Sequence, residues 1–245
     1  MAAHLPILLT GFEPFGAYTT NPSQQVIENF DPSLQGVQIE KAVLPVSYTE
    51  TPKLLSCLLN ETDWSAVICF GLHGGGGVRI ETLGRNRNSS ASADNDGLAC
   101  LDQAVVFKGP DTLPVTLPTR KLLDALVAAG MPASLSDDAG GYLCNHTLYT
   151  LLYSLLREFD RGNDVIPAGF IHLPPLPEQS AKIGMALERQ LQVVRIVVET
   201  VMQHLDTANG RVSAEQKAGN KSIRGGLCKA KPASIDAGHR VKLKT

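Results

Sequence analysis

Three residues in this sequence have types and positions that suit nucleophilic catalysis: Cys144, His172 and Glu81. Cys144 follows Gly140 and Gly141 and stands where a long helix is predicted to begin. The partial positive charge at a helix N-terminus stabilises a thiolate, which is the nucleophilic form of cysteine. The glycines allow backbone N–H groups to approach a substrate carbonyl, as an oxyanion hole requires. The alternative is a small buried residue at a helix start, which is the commoner role of a free cysteine.

A general base for this nucleophile is predicted at His172, which follows the apolar run 168–171 at the end of a predicted strand. There it would accept the thiol proton and return it to the leaving amine. His146 is the competing base. It lies two positions beyond Cys144 on the same predicted helix, so its side chain points about 200° away. We therefore interpret His146 as a supporting or capping residue. A histidine hydrogen-bonded in a loop is the alternative for His172.

Glu81 follows a glycine-rich stretch and supplies a carboxylate that would hold the imidazole in one tautomer. A surface glutamate is the alternative. The stretch itself, GGGG at 74–77, is followed by Val and Arg and so does not match a phosphate-binding loop. The other glycine-flanked turn, GFEPFG at 11–16, does not match a dinucleotide fingerprint. It instead offers two aromatic faces, Phe12 and Phe15, for which core packing is the alternative.

Strand-like and helix-like segments alternate along the chain. Strands are predicted at 5–10, 37–46, 66–71, 113–117 and 165–173. A first helix is predicted to open at 21–24, with Asn21 as its cap and Gln24 closing the cap, and further helices are predicted at 49–59, 119–129, 145–159 and 178–205. Residues 78–88 are interpreted only as extended chain. This order predicts an α/β fold, a three-layer sandwich with a mainly parallel twisted central sheet covered by helices on both faces. Functional residues in such folds gather at the carboxyl edge of the sheet.

The charge is unevenly distributed along the chain. Residues 210–245 contain nine Lys or Arg against two acidic residues, about +7, which leaves about −9 for the rest because the whole chain carries −2. We therefore predict a single α/β domain over 1–209, followed by a basic, flexible C-terminal tail over 210–245. An acidic domain argues against nucleic acid as a partner, because affinity for nucleic acid comes mainly from neutralising phosphates.

The five cysteines lack CxxC pairs and zinc-type spacing, and no signal peptide or membrane-spanning stretch is recognised. The sequence therefore predicts reduced thiols, a cytoplasmic location, and no metal site and no membrane partner.

Four motifs, in order along the chain, carry a resemblance to a known family. They are TGFEPFG at 10–16 followed by NPS at 21–23, DNDG at 94–97, GYLCNH at 141–146 and GFIHLPPLPEQ at 169–179. Together they resemble the pyrrolidone-carboxylate peptidases (pyroglutamyl peptidase type I), from about residue 7 to the helix ending near 205. The resemblance implies a cysteine omega-peptidase that removes an N-terminal pyroglutamyl residue from peptides.

The resemblance also implies roles for individual residues. Glu81, Cys144 and His172 would form the triad, without a metal or organic cofactor. Homo-oligomers, dimers or tetramers, would be formed. Phe12 and Phe15 would line the pocket for the flat, uncharged lactam ring, with Leu143 nearby.

The region around Glu81 departs from the family's pattern. It is about one residue shorter, with Thr82 in place of an arginine and Gly84 in place of an alanine. This departure and the basic tail motivate an alternative: the chain is a catalytically inactive relative that binds peptides or a partner. A different hydrolase on a similar fold, acting on nucleosides or other amides, is a further alternative and predicts that Cys144 is dispensable.

Overall fold

The computed structural model describes the backbone of residues 5–31 and 37–225, and the side chains of these residues up to 208. The elements are β1 (Ile7–Phe12), α1 (Pro22–Asn29), β2 (Ile39–Leu44), α2 (Glu50–Glu61), β3 (Ala66–Leu72), β4 (Val78–Glu81), β5 (Leu83–Arg85), β6 (Thr112–Pro114), α3 (Thr119–Ala128), β7 (Ala133–Ser136), α4 (Leu143–Asp160), β8 (Ala168–Leu173) and α5 (Leu187–Gly225).

The central sheet has six strands in the order β2-β1-β3-β8-β4-β7. All neighbouring pairs run parallel except β4 and β8, which are antiparallel. Strands β5 and β6 form a separate antiparallel pair. The mainly parallel sheet agrees with the prediction. The reversed strand β4 enters the sheet beside β8, and so brings Glu81 next to the strand that ends in His172.

The central strands are buried on both faces. All six residues of β1 and of β8 are buried, as are the first six of β3. Leu8 and Phe12 share one core cluster with Leu148, Leu151 and Leu152 of helix α4. Helix α1 packs on β1 and β3, and α3 packs on β4 and β7. Burial of whole strands requires helices on both faces, which is the predicted three-layer arrangement.

Helix α1 begins as the sequence predicts, with one difference. The Asn21 side chain accepts a hydrogen bond from Ser23 N (3.0 Å), and Pro22 occupies the first turn. The Gln24 side chain, however, donates to Glu28 (2.8 Å) instead of reaching back to the cap, so the predicted closing bond is wrong. Glu28 lies one turn further along the exposed face of the helix and competes with the cap for the Gln24 side chain.

Several element boundaries differ from the predictions. Residues 78–88 contain two short strands, and β7 was not predicted because its sequence, ASLS, has little strand character. Helix α5 begins at Leu187 instead of 178, because the preceding segment folds tightly on itself: a Cβ on Gly184 would lie 2.7 Å from the Pro177 backbone. The Gln179 side chain is also engaged outside any helix, as it donates to Thr20 O (2.9 Å).

The chain divides into two compact units, Met1–His204 and Leu205–Thr245. Within the first unit, α5 contributes five fully buried valines, namely Val193, Val194, Val197, Val198 and Val201. Within the second, α5 continues to Gly225, whereas the sequence predicted that it ends near 205. The remainder of the predicted tail, 226–245, lies outside the described residues, as does Cys228.

Candidate active site

The predicted catalytic residues meet at the carboxyl edge of the central sheet. Strand β8 ends at His172 and Leu173, and in the sheet His172 pairs with Gly71 of β3 on one side and with Arg79 of β4 on the other. Helix α4 starts over this edge and presents Cys144 in its first turn. Glu81 is the last residue of β4.

The turn before helix α4 needs glycine at position 141. A Cβ on Gly141 would lie 2.2 Å from Ser89 Oγ, and the Gly141 carbonyl accepts a hydrogen bond from Ser89 N (2.9 Å). Asn145, fully buried in the first turn of the helix, accepts from Arg85 N (2.9 Å) and donates to Arg85 O and Arg87 O (both 2.9 Å). These bonds fix the start of α4, and with it Cys144, against the end of β5 and the residues that follow it.

The space around the Cys144 sulfur depends on Gly71 at the end of β3. A Cβ at Gly71 would lie 3.0 Å from Cys144 Sγ and 2.7 Å from the Phe170 ring. Any larger residue there would displace the sulfur or the ring. The half-buried Cys144 thus lies directly over the sheet edge, on the same face as His172.

His172 and Glu81 form a buried hydrogen-bonded pair. The His172 Nδ1 atom lies 2.7 Å from Glu81 Oε1, and the two residues are 4% and 0% exposed. Because Nδ1 is held by the carboxylate, Nε2 is the ring nitrogen left for Cys144. Within the residues the structure describes, the second carboxylate oxygen, Oε2, has no hydrogen-bond partner.

Opposing influences act on the charge of His172. Burial lowers its pKa, but the negative charge and hydrogen bond of Cys144, followed by the hydrogen bond and charge of Glu81, outweigh burial and raise the pKa to about 9. With this pKa, the His172 ring carries a positive charge near neutral pH, where it lies between the Cys144 sulfur and the Glu81 carboxyl group.

His146 is also buried, but its contacts lie away from the His172–Glu81 pair. Its Nδ1 atom lies 3.2 Å from Asn88 Oδ1, and its ring packs edge-on against Tyr48 with centroids 5.2 Å apart. Burial lowers the pKa of His146 to about 4, so the ring is neutral near pH 7. This placement agrees with its interpretation as a supporting residue.

A third histidine, His73, was not singled out from the sequence and organises the glycine-rich loop. Its Nδ1 accepts a hydrogen bond from Gly75 N (3.0 Å), and its Nε2 donates to Gly77 O (2.9 Å). Its ring centroid lies 5.7 Å from that of His172. Burial lowers the pKa of His73 to about 4. The loop therefore wraps around a neutral imidazole at the edge of the site.

A cavity of about 330 Å³ opens over Cys144 and His172. All of the predicted site residues line this cavity except Glu81, which is fully buried. Its lining consists of Phe12, Phe15, Asn21, Val46, Leu72, His73, Arg79, Asp138, Ala139, Gly140, Tyr142, Leu143, Cys144 and His172. Two of these lining residues, Arg79 and Asp138, are charged.

The aromatic part of the lining is built around Phe12 and Phe15. Phe12 is almost fully buried and packs against Phe170 (centroids 6.3 Å apart). Phe15 is half-buried and contacts Tyr18 and Tyr142, with centroids 5.7 and 5.9 Å apart. Phe12 thus packs in the core and also lines the cavity. Phe15 is less buried and presents its ring to the cavity.

Glu13, for which the sequence predicted no role, connects this aromatic turn to the rest of the site. Its Oε1 atom accepts hydrogen bonds from Val46 N (2.9 Å) and from Asn95 Nδ2 (2.8 Å). Asn95 also donates to Pro14 O (3.0 Å), so the DNDG motif holds the turn that carries both phenylalanines. Both segments, TGFEPFG and DNDG, were recognised as motifs in the sequence. Only the fold shows that they contact each other.

The described residues contain four free cysteines, Cys57, Cys69, Cys100 and Cys144. In the same part of the chain, no group of three or more His, Cys, Asp or Glu side chains is placed to hold a metal ion. Nor does any helix among these residues have the length and apolar character needed to cross a membrane.

Comparison with known proteins agrees with this geometry. Residues 5–204 match the family model described as pyroglutamyl peptidase. Pyrrolidone-carboxylate peptidase 1 of Photorhabdus laumondii is 33% identical over 205 residues, which cover 81% of this chain and 93% of that protein. A pyrrolidone-carboxylate peptidase of Enterobacter sp. (strain 638) is 34% identical over 198 residues, 80% of this chain and 90% of that protein.

Solved structures show the same fold. The pyrrolidone carboxyl peptidase of Thermococcus litoralis superposes with a TM-score of 0.78 at 29% identity, covering 83% of this chain and 96% of that one. Pyroglutamyl peptidase I of Bacillus amyloliquefaciens gives a TM-score of 0.76 at 27% identity, covering 81% and 95%.

These similarities confirm the predicted α/β fold and the predicted reaction class, a cysteine-type hydrolase acting on peptide bonds, and they do not support the inactive relative. The chain belongs to the pyroglutamyl peptidase family.

Proposed function

We propose that Cys144, His172 and Glu81 are the catalytic triad with which this chain hydrolyses the amide bond after an N-terminal pyroglutamyl residue. The observation that carries the proposal is the buried Glu81–His172 pair (2.7 Å), whose imidazole lines the same aromatic cavity as Cys144. The names of the relatives, pyrrolidone-carboxylate peptidases, support the choice of substrate.

The first half of the reaction forms a thioester. The Cys144 thiolate attacks the pyroglutamyl carbonyl carbon, and the carbonyl oxygen gains negative charge. Helix α4 begins here, and its cap residue Tyr142 makes no side-chain capping bond, so the N–H groups of Leu143 and Cys144 are available to the oxyanion. The His172 imidazolium then gives its Nε2 proton to the leaving nitrogen as the C–N bond breaks.

The second half releases the acid. The now neutral His172 takes a proton from a water molecule, which attacks the thioester carbonyl. The C–S bond breaks, pyroglutamate leaves, and Cys144 is again a thiolate paired with the His172 imidazolium. Glu81 keeps the imidazole in one tautomer and stabilises its positive charge through both steps.

Selectivity for the lactam ring is assigned to Phe12 and Phe15, together with Leu143 of the same cavity lining. Their faces suit a flat, uncharged ring, whereas the ammonium group of an ordinary N-terminal residue would be costly to bury there. Leu143 is 2% exposed and lines the cavity through the first turn of α4.

The proposal also covers the bounds of the catalytic domain, the cellular location and the oligomeric state. The catalytic unit comprises 1–209, and the basic segment 210–245 takes no part in the chemistry. The free thiols support a reducing compartment, the cytoplasm. Assembly into dimers or tetramers is proposed from the family resemblance.

The test is turnover of a pyroglutamyl-coumarin amide by the reduced protein, compared with a prolyl-coumarin amide. Pyroglutamyl is cleaved and prolyl is not, because the prolyl ring carries a charged amine. Cys144→Ser lowers kcat/KM by about 10⁴-fold or more, since the hydroxyl is a far weaker nucleophile. The matched control is Cys57→Ser, which changes an exposed thiol and retains full turnover. Full turnover by Cys144→Ser would overturn the mechanism.

A further inference from the structure

Arg79 is a charged residue of the active-site cavity, and the catalytic steps described above assign it no role. Its side chain lines the cavity together with Cys144 and His172. Within residues 5–31 and 37–208, no carboxylate lies within ion-pairing distance of its guanidinium, whereas Arg85 and Arg87 are paired with aspartates. A half-buried guanidinium without a protein partner is prepared to bind an anion.

The sheet fixes the face on which Arg79 lies. Strands β4 and β8 are antiparallel and pair Arg79 with His172, so these two side chains project from the same face. Glu81, two residues further along β4, projects from that face as well and binds His172. Arg79 is therefore a direct neighbour of the residue that delivers a proton to the leaving group.

The guanidinium itself reaches towards the glycine-rich loop. A Cβ added to Gly75 would lie 2.8 Å from Arg79 Nη2, so the guanidinium packs against the loop backbone where only glycine leaves room. The imidazole of His73 in this loop binds Gly75 and Gly77 through its two nitrogens and is not free to bind a ligand. Among the side chains of this loop and of β4, Arg79 is thus the cation presented to the cavity.

The orientation of the substrate follows from the mechanism. The pyroglutamyl ring occupies the aromatic part of the cavity at Phe12 and Phe15, and the nitrogen of the next residue must approach His172 to receive its proton. The residue after pyroglutamate therefore extends past His172, where Arg79 lies. The other charged group of the lining, Asp138, is exposed and accepts a hydrogen bond from Gly140 N (3.0 Å).

We propose that Arg79 is a specificity-determining residue that binds a carboxylate on the residue following pyroglutamate, above all the terminal carboxylate of a pyroglutamyl dipeptide. The proposal rests on the proposed function and assigns the enzyme a preference for short, acidic substrates. In a dipeptide the terminal carboxylate follows the scissile nitrogen by one Cα, within reach of a cation beside the proton donor.

The test compares substrates that differ only in this charge. Pyroglutamyl-alanine is compared with its C-terminal amide, and pyroglutamyl-glutamate amide with pyroglutamyl-glutamine amide, with kcat/KM measured for each. The wild-type protein prefers the charged member of a pair by about tenfold to a hundredfold, the effect of one charge-assisted hydrogen-bonded contact. Preference in the first pair identifies the terminal carboxylate as the ligand, and preference in the second identifies a side-chain carboxylate.

Two variants assign the preference to Arg79. Arg79→Gln brings the ratio of charged to neutral substrate close to one, and Arg79→Lys, which keeps the charge but loses the planar guanidinium, retains an intermediate ratio. A ratio does not depend on how much of a variant is folded.

Two results would overturn the proposal while leaving the proposed function intact. One is a wild-type protein that cleaves all four peptides without preference for charge. The other is an Arg79→Gln protein in which both members of each pair slow equally, as a role in oxyanion stabilisation or in structure alone would produce. Failure of the wild-type protein to cleave any of the four would instead overturn the proposed function and this inference together.

Discussion

Two buried histidines lie near the start of helix α4, and their charges differ although their burial is nearly the same. His172 is 4% exposed and His146 is 8% exposed. Burial lowers the pKa of both, yet His172 reaches about 9 because Cys144 and Glu81 favour its protonated form, whereas His146 falls to about 4 beside the neutral Asn88. The partner, not the degree of burial, decides which histidine can serve as an acid near neutral pH.

The first way to break this comparison is to remove each ring in turn. His172→Gln is expected to lower kcat/KM for a pyroglutamyl-coumarin amide by about 10²- to 10⁴-fold, because the proton donor and the partner of the thiolate are both lost. His146→Gln, measured in the same assay, keeps activity within about tenfold, since it leaves the Cys144–His172–Glu81 set in place. Equal losses in the two variants would show that His146 shares the chemistry.

The second change removes one of the two groups that raise the pKa of His172, the Glu81 carboxylate, and keeps the shape of the residue. Glu81→Gln is expected to lower kcat/KM by about tenfold to a hundredfold, less than loss of the imidazole itself. Removing a carboxylate also lowers the pKa of His172, so the alkaline limb of the activity profile moves to lower pH.

The position of the alkaline limb is measured from kcat/KM across the pH range for wild-type and Glu81→Gln proteins. An alkaline limb that stays in place would mean that Cys144 alone sets the charge of His172. Glu81→Asp is the matched control, since it retains the charge.

The smallest expected effect concerns stability in acid. The pKa of His146 is about 4 in the folded protein against about 6.5 in an unfolded chain. Between these values the unfolded state binds more protons, so His146 destabilises the protein by about 1–3 kcal/mol as pH falls from about 6.5 to about 4. His172 behaves oppositely: its contribution is complete below about 6.5 and is lost as pH rises through about 9.

Urea unfolding near pH 7 and near pH 5 measures the effect in acid. The His146→Gln protein is expected to lose less stability between the two pH values than the wild-type protein does. His73, whose pKa is also about 4, contributes in the same direction and remains in both proteins. An identical loss in the two proteins would contradict the low pKa of His146.

The sequence predicted the residues that carry local signals. Cys144 was recognisable at a helix start, His172 at the end of an apolar strand, and the Asn21 cap from its neighbours. The position of Glu81 beside His172 depends on the antiparallel insertion of β4, for which periodicity within 78–88 gives no sign. The resemblance to the family, not the local pattern, made that assignment.

Residues whose role depends on distant contacts were missed. Asn145 binds the backbone at Arg85 and Arg87, about 60 positions earlier, and Glu13 binds Asn95, which lies 82 positions away. A single sequence does not reveal which distant segments become neighbours. Arg79 was missed for a related reason, since its place in the cavity follows from the register between β4 and β8.

The most direct test of the central claim, a thiolate on Cys144 paired with the His172 imidazolium, is the pH dependence of alkylation by iodoacetamide. Mass spectrometry of the labelled peptides gives the rates at Cys144 and at exposed Cys57 in the same sample, for wild-type and His172→Gln proteins. At about pH 6 we predict that Cys144 in the wild-type protein reacts at least about tenfold faster than Cys57, and that His172→Gln abolishes this advantage. A rate of alkylation at Cys144 that equals the rate at Cys57 at every pH would contradict the ion pair.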